Sequence, residues 1–263
     1  MNRRATALYT ALGLGYGFLY VPIALLVIYS FNASRLVTVW GGFSGHWYVE
    51  LIHDEKVLDA AWLSLKVALV TATLATLLGT LAAVLLVRFR RFPGSTLFTG
   101  MVAAPLLMPE IITGLAMLLL FVAMEQSIGW PAGRSMTTIV IAHVTFCLSF
   151  VTVVVRSRLA QMDLSLEEAA MDLGARPLKV FLLITLPLIS PSLVAGWLLA
   201  FTLSVDDLVI SSFVTGPGAT TLPIVIFSKV RLGISPEINA LASIFVAVVG
   251  VAIAIGGSLS NRR

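Results

Sequence analysis

Charge, cysteine and long polar stretches are all scarce in this chain of 263 residues. Only 11% of its residues are charged and 59% are hydrophobic, where an ordinary soluble domain carries about a quarter charged residues. No polar stretch is long enough to bury a core of its own, which excludes a hidden soluble domain. The single cysteine, Cys147, excludes an internal disulfide and a cysteine-based metal cluster. No clustered ligand set replaces it, so no metal site is expected. The chain has no glycine-rich loop closing on Gly-Lys-Ser or Gly-Lys-Thr, and so no such cradle for nucleotide phosphates. It also lacks His-Glu-x-x-His and shows no obvious Ser/His pair at matched depth, which argues against an intramembrane enzyme. No cofactor and no catalytic residue are expected in this chain.

What the chain has instead is apolar length. Runs of about 20 apolar residues can cross a bilayer as helices, the one open-chain form that satisfies its own backbone there. Six such spans can be marked: Thr6–Phe31, Ala60–Val87, Leu97–Met124, Met136–Val155, Leu188–Val214 and Ile238–Leu259. The first follows Met1-Asn2-Arg3-Arg4 and is too long for a signal peptide, so it reads as a retained span. Pro105 and Pro109 are expected to break the third. The reading is an all-α membrane protein of about six transmembrane helices, one domain over 1–263.

The formal charge is 17 − 13 = +4, which in so apolar a chain speaks to orientation rather than to nucleic acid. With the N-terminus in the cytoplasm, 11 of the 17 Lys and Arg fall on that side, Arg88, Arg90, Arg91, Arg156 and Arg158 hugging span ends. Both termini are therefore expected to be cytoplasmic. On the other side, Trp40, Trp47 and Tyr48 are expected to anchor the Asn32–Asp59 loop at the interface. Thr215-Gly216-Pro217-Gly218 signals a turn. Ile224–Leu232 is too short to span and reads as an interfacial or re-entrant piece.

One charged island, residues 163–183, separates two apolar spans on the cytoplasmic side. Ser165-Leu166-Glu167-Glu168 fits a capping box, with Ser165 as N-cap and Glu168 three residues on. Gly174 suits the left-handed position that ends a helix, and Pro177 can open the next. Spacing alone leaves an ordinary solvated connecting loop equally open. Glu168-Ala169-Ala170, then Gly174, then Ile184 and Leu186-Pro187, resembles the EAA motif of ABC importer permeases at every one of those positions. The resemblance implies the type I importer permease fold and a coupling helix that docks into a cytoplasmic ATPase. Glu168, Ala169, Ala170 and Gly174 would then form the docking surface, with ATP and Mg on the partner.

Three acids lie inside the spans: Glu110 in the third, Asp206 and Asp207 in the fifth. Asp206 stands 15 residues from Pro191 and Glu110 13 from Leu97, roughly 22 and 20 Å along straight helices, so the two reach similar depths. Ser204 and Ser211 flank Asp207 at helical spacing and favour it over Asp206 as the pathway liner. The other reading is that one of the acids pairs with a base or caps a broken helix. His143, alone among apolar neighbours, reads as a hydrogen-bonded packing residue rather than a ligand. Carboxylates deep in the spans without a lysine or arginine favour a cationic solute. Ser204 to Gly218, Ser235 to Ala240, Pro105 to Ile111 and Tyr29 to Asn32 are similar to the second permease of bacterial polyamine importers. That family implies a periplasmic binding protein, a second homologous permease and an ATPase dimer in the inner membrane of a bacterium. Its members carry putrescine or spermidine, and overall resemblance favours putrescine. A permease for another cationic or small solute, or a proton-coupled secondary transporter, stands as the alternative.

Overall fold

The computed structural model describes residues 3–36, 39–89, 92–233 and 235–247. They form α1 (Arg3–Tyr29), α2 (His46–His53), α3 (Glu55–Arg88), α4 (Ser95–Leu107), α5 (Glu110–Ile128), α6 (Met136–Ala160), α7 (Ser165–Asp172), α8 (Pro177–Val180), α9 (Leu186–Val205), α10 (Val209–Val214), α11 (Leu222–Leu232) and α12 (Pro236–Ala247). A π-helical turn, Phe181–Thr185, joins α8 to α9. Among the described residues five stretches are long and apolar enough to cross a bilayer: Leu8–Tyr29, Glu55–Arg88, Glu110–Ile128, Met136–Ala160 and Pro177–Val205. The first, second and fourth expected spans are α1, α3 and α6. The sixth is seen as α12 as far as Ala247, and its remainder lies outside the described residues.

The third and fifth spans are interrupted. Pro109 has no N–H to continue the ladder and disfavours helical backbone at the residue before it, so Met108 turns extended (φ −88°, ψ 139°). Pro105, also expected to break the span, stays inside α4. The fifth span starts earlier than expected, at Pro177, and stops at Val205 without any proline or glycine at the break.

The helices gather into two compact units, Met1–Asp59 with Val225–Arg263, and Ala60–Ile224. In the second, α6 is the centre: 61% of its apolar stretch is buried, against 17% for α5 and for Pro177–Val205. Two glycines let neighbours reach it. A methyl on Gly79 of α3 would lie 2.9 Å from Val151, and one on Gly196 of α9 would lie 3.3 Å from it. Small residues at helix contacts are how apolar helices approach closely where lipid supplies no hydrophobic drive. Beyond α10, Gly216 passes so close to the Arg134 carbonyl that a Cβ there would overlap it at 2.0 Å. This fixes the expected turn, which Gly218 completes with φ +74°.

In the first unit, Trp47 and Tyr48 are not interface anchors. Trp47 is buried and donates its indole N–H to the Asn32 carbonyl at 2.6 Å. The Tyr48 hydroxyl bonds Ser30 at 2.6 Å and Ser243 of α12 at 3.0 Å. Only Trp40 of the three stays exposed; the polar edges of the other two found partners within the protein, which is what a buried Trp or Tyr requires.

The same unit holds a charge triad. Lys229 of α11 donates to Asp54 at 2.7 Å and to Glu237 of α12 at 2.5 Å. Burial would raise the Asp54 carboxyl, but the bonds from Lys229 and from the Val57 and Lys56 amides outweigh it and hold it below its usual value. Burial would lower the Lys229 ammonium, and the two carboxylates outweigh that and raise it. A depressed acid stabilises above its unfolded value and loses that effect as pH falls through the folded one. A raised base stabilises below its unfolded value and loses the effect as pH rises through the folded one. The stability lost in Lys229→Met is therefore expected to be constant between about pH 4 and about pH 10 and to shrink at both ends. Thermal unfolding of both proteins across that range checks it.

Candidate functional site

The α9–α10 strip runs antiparallel along α6, and its contacts give the register. Gly196 faces Val151, the Cys147 thiol meets the Ala200 carbonyl, His143 meets Ser204, and Thr138 donates to the Val214 carbonyl at 2.8 Å. From Val151 to His143 the two chains advance together, eight residues against eight. From His143 to Thr138, five residues of α6 face ten of the partner strip. The excess is taken up at Asp206–Leu208, where the chain leaves the helix.

Asp207 makes that break. Its Oδ1 accepts the Ile210 N–H at 3.2 Å and its Oδ2 the Ser211 N–H at 2.7 Å, satisfying donors that the start of α10 would otherwise leave unpaired. The same Oδ2 lies 3.1 Å from Nε2 of His143. That nitrogen is also 3.0 Å from the Ser211 hydroxyl, and Nδ1 is 2.8 Å from the Ser204 hydroxyl. A carboxylate only accepts, so Nε2 carries the proton, and in the neutral ring Nδ1 accepts from Ser204. The side chains of His143 and Asp207 are 2% and 7% exposed. Ser204, Asp207 and Ser211 do form the expected polar stripe, and the structure turns it onto α6, with Ser204 and Ser211 buried.

Asp206 is placed otherwise. It ends α9, is exposed, and among the described residues no other side chain bonds its carboxylate. Glu110 is likewise exposed and without a side-chain partner, in the first turn of α5. A short connection makes α5 antiparallel to α6, hence parallel to α10. The α5–α10 contact is tight at Gly114, where a Cβ would lie 2.6 Å from the Phe213 ring and 3.3 Å from the Ile210 Cα. Glu110 stands one helical turn before Gly114, and Asp206 stands four residues before Ile210, at the break itself. The two interrupted spans thus break at one level, each presenting a free carboxylate there.

A second cluster lies at the other end of this unit. Helix α7 does form over the charged island, but not by the expected capping box. Leu164 already has helical geometry, so Ser165 is the first helical residue, not the cap, and its N–H goes to Asp163 Oδ1 at 3.0 Å. Glu168 is exposed. The C-terminus is as expected: Gly174 (φ +86°) sends its N–H to Met171 and Ala175 sends its own to Ala170, a Schellman closure. Pro177 opens α8.

Glu167, which sequence reasoning passed over for its neighbour, is the inward-facing acid. One oxygen accepts from Arg88 at the end of α3 and from the Thr185 hydroxyl in the π-helical turn, both at 2.6 Å. Its side chain is 14% exposed and that of Arg88 18%. Glu168 and Ala169 face outward with Gly174 and Leu173, the last 90% exposed, while Ala170 is half-buried. One side of α7 is tied to the membrane helices, and the other, carrying Glu168, Ala169 and Leu173, is left uncovered among the described residues. The signal for Glu167 was its four-residue spacing to Met171, which lines the same inward cleft with it.

The family described as binding-protein-dependent transport system inner membrane component matches residues 75–263. The putrescine transport system permease protein PotI of Escherichia coli (strain K12) is 62% identical over 238 residues, which cover 90% of this chain and 85% of that protein. The spermidine/putrescine transport system permease protein PotC of the same strain is 43% identical over 247 residues, 94% of this chain and 90% of PotC. In fold, the chain is similar to the structure of a bacterial ABC transporter involved in importing the acidic polysaccharide alginate. The TM-score is 0.70 at 17% identity, over 98% of this chain and 96% of the other. An amino acid ABC transporter gives a TM-score of 0.57 at 18% identity, over 82% and 98%.

Proposed function

Because the chain belongs to the family of binding-protein-dependent transport system inner membrane components, we propose that it is the permease subunit of an ATP-driven importer of putrescine. The preference for putrescine over spermidine rests on the 62% against 43% identity to the two kinds of permease. The observation that carries the cationic reading is the pair of breaks at one level with Asp206 and Glu110 free. Broken helices near mid-membrane are where transporters place their solute. Here the start of α10 is already satisfied by Asp207, and Glu110 sits at the start of α5, so the amides that would attract an anion are compensated. Two unpaired carboxylates remain for a flexible chain with an ammonium at each end.

The remaining assignments follow. Both termini lie in the cytoplasm of a bacterial cell. The region 163–183 is the coupling segment of a single transmembrane domain, with Glu168, Ala169, Ala170 and Gly174 on its docking surface. The partners are an ATPase dimer, which holds ATP and Mg because this chain has no phosphate loop, a second permease and a periplasmic binding protein. Closing and opening the path would be driven through α7.

Reconstitution of the four-component complex in vesicles tests this. ATP-dependent uptake of labelled putrescine is expected, exceeding that of spermidine supplied through the same binding protein. Uptake by this chain alone, driven by a proton gradient without ATP, would overturn it.

A further inference from the structure

We propose that His143 is a positioning residue of the transport path: it keeps the charge of Asp207 engaged inside the protein, so that a passing ammonium meets Asp206 as the free carboxylate at the break. The proposal rests on the reading of the chain as a cation permease.

Two adjacent aspartates have opposite surroundings. Among the described residues Asp206 is exposed and has no side-chain partner; the side chain of Asp207 is buried and receives two backbone amides and an imidazole N–H. His143 is held on its other side by Ser204, one helical turn before Asp207, so the ring bridges the end of α9 to the start of α10. The ring comes from α6, the most buried apolar helix of the unit, and gives the break a rigid wall. An ammonium beside one free carboxylate is weakly held. Beside two adjacent ones it is held more tightly and leaves more slowly, and in a transport path a tight site slows turnover. His143 thereby sets the strength of the site without touching the solute.

The proposal predicts a rescue pattern that a packing role would not give. The readout is the initial uptake rate per assembled, ATPase-bearing complex, with the half-saturating concentration measured alongside. His143→Ala is expected to slow that rate about tenfold with the half-saturating concentration unchanged, because release is slowed rather than capture. Adding Asp207→Asn removes the freed charge while leaving a good N-cap residue, and is expected to restore the rate to within about threefold of wild type. His143→Gln, whose amide nitrogen falls near Nε2, is expected to hold Asp207 and stay within about threefold. His143→Asn, whose amide oxygen can take the place of Nδ1 as acceptor, keeps Ser204, releases Asp207 and is expected to be as slow as His143→Ala; it replaces the alanine variant should that one fail to assemble. A double variant as slow as the single one, equal rates for Gln and Asn, or a wild-type rate in both His143→Ala and His143→Asn would overturn the proposal. Wild-type putrescine uptake judges the substrate reading separately, and the ratios between variants are read in the same way with whichever cation the wild type carries.

Discussion

A chain carrying Glu167→Lys is expected to reach the membrane and hold its ATPase, yet to move roughly a hundredfold less putrescine per ATP hydrolysed, while Glu168→Lys loses the ATPase itself. The two residues are neighbours on α7 and face opposite ways. Among the described residues Glu167 is the one carboxylate paired with Arg88, and it also receives the Thr185 hydroxyl, so α7 is fastened at one residue to both α3 and the turn that leads into α9. Removing one partner of a buried, hydrogen-bonded ion pair leaves the other uncompensated, a cost of about 3 kcal/mol; a lysine adds repulsion. The outward face of α7 is untouched, so docking survives and its movement no longer reaches the membrane helices. ATP hydrolysis is then expected to run without responding to loaded binding protein. Among the described residues Glu168 is exposed and makes no side-chain hydrogen bond or ion pair, so its reversal is expected to leave the fold intact and to act on the partner. Co-purification separates the cases, and the ratio of uptake to hydrolysis measures the first. The exchange Arg88→Glu with Glu167→Arg restores the pair with its polarity reversed and is expected to recover most of the ratio. Glu167→Lys with an unchanged ratio, or Glu168→Lys with the ATPase still bound, would remove the corresponding assignment.

That pair also shows where a sequence stops being legible. The motif Glu168-Ala169-Ala170…Gly174 pointed to α7, to its glycine stop and to its exposed face, because these depend on local backbone chemistry and on a surface that must stay open. It pointed away from Glu167, because an inward anchor is defined by its partners, and Arg88 and Thr185 are 79 and 18 residues distant. The capping box failed for a related reason: the pattern was present, but the helix began one residue earlier once Leu164 adopted helical geometry. Among the spans, Pro109 announced its own break. The break at Asp206–Leu208 carries no proline or glycine and comes from Asp207 capping α10, a competition between side chain and backbone that hydropathy cannot see. The stripe Ser204-Asp207-Ser211 was visible, but which way it faced was decided by His143, 61 residues away from Ser204. Trp47 and Tyr48 looked like interface anchors until Asn32, Ser30 and Ser243 were brought to their polar edges.

The same distinction between paired and unpaired acids carries the second large effect. Asp206→Asn is expected to lower the maximal rate of putrescine uptake about tenfold while complex assembly, thermal stability and the half-saturating concentration stay as in wild type. Among the described residues Asp206 has no side-chain partner to lose, so an isosteric amide is expected to cost the fold nothing; what it removes is the negative charge at the level where α4–α5 and α9–α10 both break. An ammonium crossing there must shed water, and a carboxylate is the group that replaces the lost hydration most cheaply. The half-saturating concentration is expected to be unaffected because, in the proposed importer, capture occurs on the binding protein, before the solute reaches the break. Glu110→Gln, one level with it on α5, is expected to act in the same direction, and the two together to exceed either alone. Asp207→Asn should behave in the opposite manner. It removes an acceptor from a buried set of three donors, which costs about 1–3 kcal/mol in stability, and it takes no free charge from the path. Thermal stability of the complex should fall while the rate per surviving complex changes less than about twofold. Should Asp207→Asn instead halt transport in a stable complex while Asp206→Asn leaves it running, the two aspartates would exchange roles, and the path would have to run on the α6 side of the break.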